Sequence, residues 1–194
     1  MPRTYRQTKR GEAAEETRRR IVQATFDLHA EQGIAATTMK QIAERAGVSV
    51  GTVYHHFPTL DDAIGACGAF ALSHSPFPTD AIFEGAATRA ECVRRLAQAA
   101  FATFAGVKAF GSVLADQDKL PVLRGFVAEE QAVRRALAAL AVGREGPESE
   151  TLAALVDFGV YDAFRRLGLA PEAAADRAAL VANAWLDTLE EEDS

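Results

Sequence analysis

The stretch from Thr37 to Phe57, TTMKQIAERAGVSVGTVYHHF, constrains the fold of this chain more than any other. Thr38 and Gln41 have the spacing of a capping box, which predicts the start of a helix. Gly47 suits the end of that helix, because glycine readily adopts the left-handed conformation of a helix exit. Ser49 is a residue type that commonly caps the next helix. The stretch therefore predicts two short helices joined by a tight turn, which is a helix-turn-helix.

The second of these predicted helices has two different faces. Val53 and Phe57 are four residues apart and lie on one face, which we expect to be buried. The opposite face carries small and polar residues, namely Val50, Gly51, Tyr54 and His55, flanked by Thr52 and His56. A helix with small residues at its start can enter the major groove of DNA closely. Its first turn would read base edges, and its later side chains would contact phosphates.

Charge is distributed unevenly along the chain. Residues 1–60 carry nine Lys or Arg and six acidic residues, a balance of +3, whereas the remainder carries 12 basic and 21 acidic residues, a balance of -9. The net charge of -6 does not exclude a nucleic-acid partner, because electrostatic screening acts over about 8 Å at physiological salt. A basic N-terminal part can thus bind phosphate locally.

Residues 18–65 resemble the DNA-binding domain of the TetR (tetracycline repressor) family of bacterial transcriptional regulators. The matching features occur in order along the chain: Ile21 to Gly33, Thr37-Thr38, Ile42-Ala43, Ala46-Gly47-Val48-Ser49, Gly51-Thr52 and Tyr54-His55-His56-Phe57-Pro58. The resemblance implies that Thr38, Tyr54 and one of the two histidines bind phosphate, and that Ser49 to Thr52 meets the bases. The predicted DNA contacts are Thr38, Lys40, Ser49, Val50, Gly51, Thr52, Tyr54, His55 and His56.

Two residues depart from the family pattern. Leu60 stands where the family usually has a Lys that contacts phosphate, which implies a weaker or differently anchored DNA contact. His29 stands in the first helix at a position that is more often aromatic and apolar, which implies a change of packing.

The whole chain is predicted to be all-α, with a family-like division into parts. Residues 1–14 are expected to form a flexible basic arm, residues 15–58 the DNA-binding domain, and residues 59–194 a ligand-binding and dimerisation domain. Thr59 and Asp62 have the spacing of a helix start, and Pro76 and Pro78 interrupt the chain further on.

Aromatic residues of the predicted body are candidates to line a small-molecule cavity, because such sites commonly form between helices. For each one, ordinary core packing is the alternative. The candidates are Phe70, Phe101, Phe104, Phe126, Phe158, Tyr161 and Trp185. The expected ligand is a small apolar molecule.

The last two predicted helices are strongly amphipathic. The first is expected to run unbroken from Leu152 to Leu167, and Pro171 opens the second. By resemblance to the family, this pair forms a homodimer interface, with contacts from Leu152, Val156, Gly159, Val160, Ala163, Val181 and Trp185. Closure of the core within one protomer is the alternative.

Nothing in the sequence predicts a catalytic, metal or cofactor site. The chain has four His and lacks an HExxH, a GxSxG, a P-loop or a Gly-rich dinucleotide turn. Cys67 and Cys92 lack the close spacing of a zinc or redox pair, so packed thiols are favoured over a redox switch. No apolar run approaches the roughly 20 residues of a membrane span, and we expect a cytoplasmic protein.

These features favour a ligand-responsive dimeric repressor that binds a pseudo-palindromic DNA operator. The alternative is a small-molecule-binding or dimeric interaction protein whose DNA binding is weakened or lost. An enzyme is a third and disfavoured hypothesis.

Overall fold

A computed structural model describes the backbone of residues 3–192 and the side chains of residues 11–189. Every regular element in this part of the chain is helical, so the predicted all-α class is confirmed. Ten α-helices and one short 3₁₀ helix (Asp80–Phe83) follow one another. The α-helices are α1 (Arg3–Gln32), α2 (Met39–Ala46), α3 (Val50–His56), α4 (Leu60–His74), α5 (Arg89–Gly106), α6 (Phe110–Asp116), α7 (Val122–Val142), α8 (Pro147–Leu155), α9 (Phe158–Arg166) and α10 (Pro171–Glu192).

The chain divides into two compact units. The first unit consists of Met1–Ser73 and Ala109–Gly125, and the second consists of His74–Lys108 and Phe126–Ser194. The predicted domain boundary after residue 58 therefore lies inside the first unit. The physical reason is that α4 packs on the helix-turn-helix and buries Ala63 in its core.

Helix α1 begins much earlier than the sequence predicts. A flexible arm was expected over residues 1–14, whereas the structure has helix from Arg3 onward. Residues 12–16 read Glu-Ala-Ala-Glu-Glu, and both residue types are good helix formers. Because no proline interrupts them, the helix extends toward the N-terminus. Residues 1 and 2 of the expected arm lie outside the described residues.

The first unit has the core that the helix-turn-helix pattern predicts. Ile42 of α2 and Val53 of α3 are fully buried, and Phe57 is 2% exposed. Each such side chain stabilises the fold by about 1.5–3 kcal/mol relative to an exposed one. Gly47 ends α2 with a φ of 65°, the left-handed conformation expected of it.

The second unit is built around α5 and α10, which pack along each other, with α8 and α9 beside them. Its core includes the fully buried Leu96 and Phe101 of α5. Polar pairs fasten the two long helices at their edges. Arg89 of α5 contacts Asp187 of α10 at 2.5 Å, and the side chain of Asn183 donates to the carbonyl oxygen of Ala90 at 3.2 Å.

The predicted continuous helix from Leu152 to Leu167 is wrong, because α8 ends at Leu155 and α9 starts at Phe158. Asp157 caps α9, and its carboxylate accepts a hydrogen bond from the N–H of Gly159 at 2.7 Å. The buried guanidinium of Arg134, on α7, donates to the carbonyl oxygen of Ala153 near the end of α8 and lies 3.0 Å from the carboxylate of Asp157. A cation thus satisfies the last turn of α8 while an Asp starts α9, which stabilises the break.

Within the described residues, no single helix has the length and apolar composition of a membrane span. Only α5 and α6 together, with the interruption between them, meet those two criteria.

Candidate functional site

Helix α3 exposes the face that the sequence assigns to DNA. Val50 is 38% exposed and Tyr54 is 50% exposed, and both Gly51 and His55 are also exposed. Val53, on the opposite face, has no exposed surface. The helix is therefore fixed to the core by one side and offers the other to a partner.

Hydroxyl groups hold the first turn of α3 in place. The Ser49 hydroxyl accepts a hydrogen bond from the N–H of Thr52 at 3.0 Å, and the two hydroxyls lie 2.8 Å apart. This confirms the predicted N-cap and positions the first-turn residues before any partner binds. Thr52 and His56 are both partly buried, so they border the exposed face as expected.

The N-terminus of α2 presents two further predicted DNA contacts. Thr38 forms the expected capping box: its hydroxyl accepts from the N–H of Gln41 at 3.3 Å, and the Gln41 side chain accepts from the N–H of Thr38 at 2.9 Å. The Thr38 hydroxyl also donates to the Gln41 side-chain oxygen at 2.8 Å, so that amide must move if the hydroxyl is to donate to a phosphate. Lys40 is well exposed, and its ammonium lies 3.9 Å from Glu44.

Two arginine contacts that the sequence did not predict hold α2 against α1. Arg20 donates to the carbonyl oxygen of Ala46 at 3.0 Å, where the end of α2 carries partial negative charge. Arg45 forms a bidentate pair with Glu31, with distances of 2.9 and 2.6 Å, and this pair lowers the pKa of the Glu31 carboxyl. Spacings of 14 and 26 residues follow no helical period, so no sequence signal identifies these contacts.

Leu60, which replaces the basic residue usual in the family, is partly buried and packs against the core of the first unit. The helix that it opens is capped as predicted, since the carboxylate of Asp62 accepts from the N–H of Thr59 at 2.9 Å. Asp61 and Asp62 place two carboxylates in the first turn of α4. The start of α4 therefore offers packing and negative charge where the family pattern has a cation.

His29 and Cys67 form a buried pair in the first unit, with 3.5 Å between Nδ1 and Sγ. Burial lowers the pKa of His29 to about 4, and burial, followed by the charge of Asp27, raises the pKa of the Cys67 thiol to about 12. A thiol with so high a pKa is a poor nucleophile, which supports the packed-thiol interpretation. Among the described residues, no group of three or more His, Cys, Asp or Glu is arranged to hold a metal.

The aromatic ligand candidates separate into two groups. Phe101, Phe104, Phe158 and Tyr161 form one cluster in the second unit, with ring centroids 5.4–6.4 Å apart. Phe126 contacts Phe77 in the same unit, and Trp185 is partly buried there. Phe70 instead belongs to the first unit and packs edge-on against Phe26. Phe70 therefore belongs to a different compact unit from the other candidates, and its role in ligand binding stays a prediction.

The cavity beside this cluster is small. It encloses about 10 Å³ between Leu96, Thr103, Phe104 and Val133, with the buried pair Glu130 and Arg134 at its edge. Such a volume accommodates about one water molecule. The role of the aromatic cluster in ligand binding stays a prediction. In this conformation its members pack against one another in the core of the second unit.

The predicted interface residues fall into two groups, one buried in the core and one at least partly exposed. Leu152 and Val156 have no exposed surface, so they belong to the core of the second unit and not to an outward face. Gly159, Ala163 and Val181 are exposed, and Val160 and Trp185 are partly buried. Leu167 and Leu180, which are 75% and 70% exposed, were not among the predicted interface residues. Leu180 is the neighbour of Val181, a predicted interface residue on α10, so its position in the sequence could have indicated that it belongs to the same face.

Comparison with known proteins identifies the helix-turn-helix. Residues 21–62 match the family described as bacterial regulatory proteins, tetR family. A 74-residue segment is 42% identical to the HTH-type transcriptional repressor Rv3405c of Mycobacterium tuberculosis, and the match covers 35% of this chain and 39% of that protein. The chain thus spans about two fifths of the length of this curated relative.

Solved structures match over most of the chain. A transcriptional regulator from Rhodococcus sp. Rha1 aligns with a TM-score of 0.59 at 25% identity, covering 88% of this chain and 96% of that one. The multidrug binding protein EbrR, solved with imidazole, aligns with a TM-score of 0.61 at 22% identity, covering 87% and 89%.

Three observations point to the same kind of DNA-binding fold. They are the ordered motifs of residues 21–62, the capped and exposed α3, and the match of the helical fold over most of the chain. Residues 21–62 carry the helix-turn-helix of the tetR family of bacterial regulatory proteins.

Proposed function

We propose that this protein is a transcriptional regulator that binds double-stranded DNA through α3. The observation that supports this most directly is the exposure of Val50 and Tyr54 on a helix whose other face is anchored by Val53 and Phe57. An apolar group at the tip of such a helix can contact the methyl group of thymine, and a tyrosine hydroxyl can donate to phosphate. Regulation of chromosomal DNA places the protein in the bacterial cytoplasm.

The proposed roles follow the position of each residue on the first unit. Val50, Gly51 and Thr52 lie in the first turn of α3 and would meet base edges, with Ser49 holding that turn. Tyr54, His55 and His56 lie further along α3 and would contact the phosphates. Thr38 and Lys40 would do so from the start of α2.

We propose that the protein acts as a homodimer through α9 and α10. Leu180 and Val181 are large apolar side chains exposed on α10. Gly159 and Ala163 on α9, and Leu167 just after its end, are exposed at four-residue spacing. Two such helix pairs can form a four-helix bundle across a two-fold axis. A dimer would present two copies of α3 to half-sites about 34–36 Å apart on a pseudo-palindromic operator.

A small apolar ligand is proposed to bind the second unit and release repression. EbrR, which shares the fold, is described as a multidrug binding protein. In the present chain, the cavity near Phe104 must enlarge to admit such a molecule. A ligand that binds the enlarged form better than the closed form would shift the population of the two, and a difference of about 1–3 kcal/mol is typical of such coupling.

A second candidate function is supported by the start of α4. Leu60 packs against the core, and Asp61 and Asp62 are exposed next to it, so this turn lacks a cation for phosphate. The alternative is therefore a dimeric or small-molecule-binding protein whose DNA affinity has been lost.

Selection of bound fragments from genomic DNA separates these two functions. The purified full chain is incubated with fragments at low salt, and retained fragments are sequenced. The proposed function predicts enrichment of a pseudo-palindrome whose half-sites are one helical turn apart, or a multiple of it. Fragments that are retained without any shared sequence, or no retention at all, would support the second candidate.

A further inference from the structure

The first unit contains a cleft of about 510 Å³ between α1 and α4, which the proposed function does not use. Its volume lies in the range of small-molecule sites, which is about 300–1,000 Å³. Val22 on α1 and Ala66, Ala69 and Phe70 on α4 form an apolar wall. The cleft is thus wide enough and apolar enough for a hydrocarbon chain or ring.

Arginines border the apolar wall on the side of α1. Arg18, Arg19 and Arg20 all line the cleft, together with Glu16. Arg19 pairs with Glu16 at 2.7 Å, and Arg20 is held by the carbonyl oxygen of Ala46. Three cations against one carboxylate give the rim a positive charge, although the protein as a whole is acidic.

Arg18 is the cation best placed to bind a ligand. The centre of its guanidinium lies over the Phe57 ring, 5.1 Å from the ring centroid, which is a cation–π contact. Within the described part of the chain, no hydrogen bond or ion pair engages its N–H groups. Those donors lie in the guanidinium plane and can bind a carboxylate or phosphate in a bidentate manner.

We propose that this cleft binds a small amphipathic anion, with its apolar part against Ala66, Ala69 and Phe70 and its acidic group at Arg18. A neutral apolar molecule would leave the cationic rim unused, and an apolar cation would be repelled by it. Because Arg18 also rests on Phe57, at the end of α3, an anion that draws the guanidinium away would alter the support of that helix. This last consequence rests on the proposed function, whereas binding itself does not.

Binding of decanoate to the full chain, measured by titration calorimetry, tests the proposal. Decylammonium supplies the same chain with opposite charge, and acetate supplies the charge without the chain. We expect one decanoate per chain, weaker binding of both comparison compounds, and a roughly tenfold rise in Kd for Arg18→Gln, the loss expected for one charge-assisted contact. Arg135→Gln, at an exposed position on α7, removes the same charge elsewhere and should leave Kd unchanged.

Filling the cleft provides a second test. Ala69→Trp places an indole over the apolar wall from an exposed position, and it should raise the Kd for decanoate by roughly tenfold or more, as loss of most buried apolar contact predicts. If that variant does not fold, as judged by circular dichroism, Ala69→Leu covers part of the same apolar wall with a smaller side chain.

Three results would overturn the inference: no decanoate binding, equal affinity for decylammonium, or affinity that none of the three cleft variants changes. DNA binding of the same proteins, measured without decanoate, keeps the two claims apart. A chain that binds DNA but not decanoate retains the proposed function without the cleft site, and the reverse result retains only the cleft site.

Discussion

The carboxylate of Asp116, at the end of α6, accepts a hydrogen bond of 2.9 Å from the backbone N–H of Ala35, which lies 81 residues earlier in the loop between α1 and α2. Asp116 is only 8% exposed, and this bond is the main reason that its pKa lies below the usual range, with burial acting in the opposite direction. The loop that leads into the helix-turn-helix is thus fastened to α6 within the first unit.

Replacing Asp116 with Ala leaves the N–H of Ala35 without this acceptor, so the free energy of unfolding should fall by about 1–3 kcal/mol. Urea denaturation measures the change. Asp118→Ala is the matched control because its side chain is 95% exposed, and it should change stability by less than about 0.5 kcal/mol. Equal effects of the two substitutions would show that the hydrogen bond does not stabilise the fold.

The same carboxylate gives a pH dependence with a defined sign. The pKa of Asp116 is lower in the folded protein than in the unfolded chain, so its stabilisation is complete above the unfolded value of about 3.9 and disappears as the pH falls through the folded pKa. In the Asp116→Ala variant, this part of the acid destabilisation should be missing. Unfolding curves below pH 4 that differ by a constant offset from those of the wild type would contradict this assignment.

His29 should destabilise the protein in a separate pH window. Its pKa is 6.5 in the unfolded chain and about 4 in the folded one, so between these values the unfolded chain binds a proton that the folded protein does not. Stability should therefore fall by up to about 3 kcal/mol as the pH drops from about 6.5 to about 4. His29→Phe should flatten the profile in this window, whereas His74→Gln, at an exposed position, should not. Parallel profiles for His29→Phe and the wild type would rule out this role.

The buried pair Glu130 and Arg134 should be strongly coupled. Arg134→Met leaves Glu130, which is 6% exposed, without its cation, and removes the donor to Ala153, so a loss of about 3–5 kcal/mol is expected. The double variant Glu130→Leu with Arg134→Met should recover part of that loss, because no buried carboxylate remains. Additive losses in this double-mutant cycle, measured by chemical denaturation, would show that the two residues act independently.

Substitutions on α3 should affect DNA binding in two different ways. Tyr54→Phe removes a hydroxyl assigned to phosphate, so affinity for every sequence should fall by a similar factor. Thr52→Ala changes the first turn and should instead alter the preference between sequences. Fluorescence anisotropy with the selected operator and with single-base variants measures both. A changed preference for Tyr54→Phe and a uniform loss for Thr52→Ala would reverse the assigned roles.

Leu180 should be required for dimer formation. Leu180→Glu places a charge on the exposed face of α10, so sedimentation should show a monomer at concentrations where the wild type is dimeric. Leu140→Glu is the control, since Leu140 is 58% exposed on α7, outside the proposed interface. A dimer that persists in Leu180→Glu would exclude this face of α10.

Local signals made the helix-turn-helix predictable from sequence. Thr38 with Gln41, Gly47 and Ser49 act on neighbours within four residues, and the structure realises each of these caps. The spacing of Val53 and Phe57 likewise determines which face of α3 is buried, because helical geometry alone relates them.

Long-range contacts were not predictable in the same way. The break after Leu155 depends on Arg134, which reaches it from another helix, while the intervening pattern of apolar residues reads as one continuous stripe. The edge-on contact between Phe70 of α4 and Phe26 of α1 also joins residues that are far apart in sequence, so no local rule predicts it. The hydrogen bond between Asp116 and Ala35 was not predictable either, because 81 residues separate the two and no local rule connects them.

The salt dependence of DNA binding by the purified protein tests the central claim most directly. The affinity for the selected operator is measured at several salt concentrations between 50 and 200 mM, roughly the range in which phosphate contacts change affinity strongly. The account predicts a linear fall of log K with log salt, a shallower slope for Lys40→Gln, and two protomers per operator. Binding that is absent at the lowest salt, or affinity that does not change with salt, would contradict DNA binding through α2 and α3.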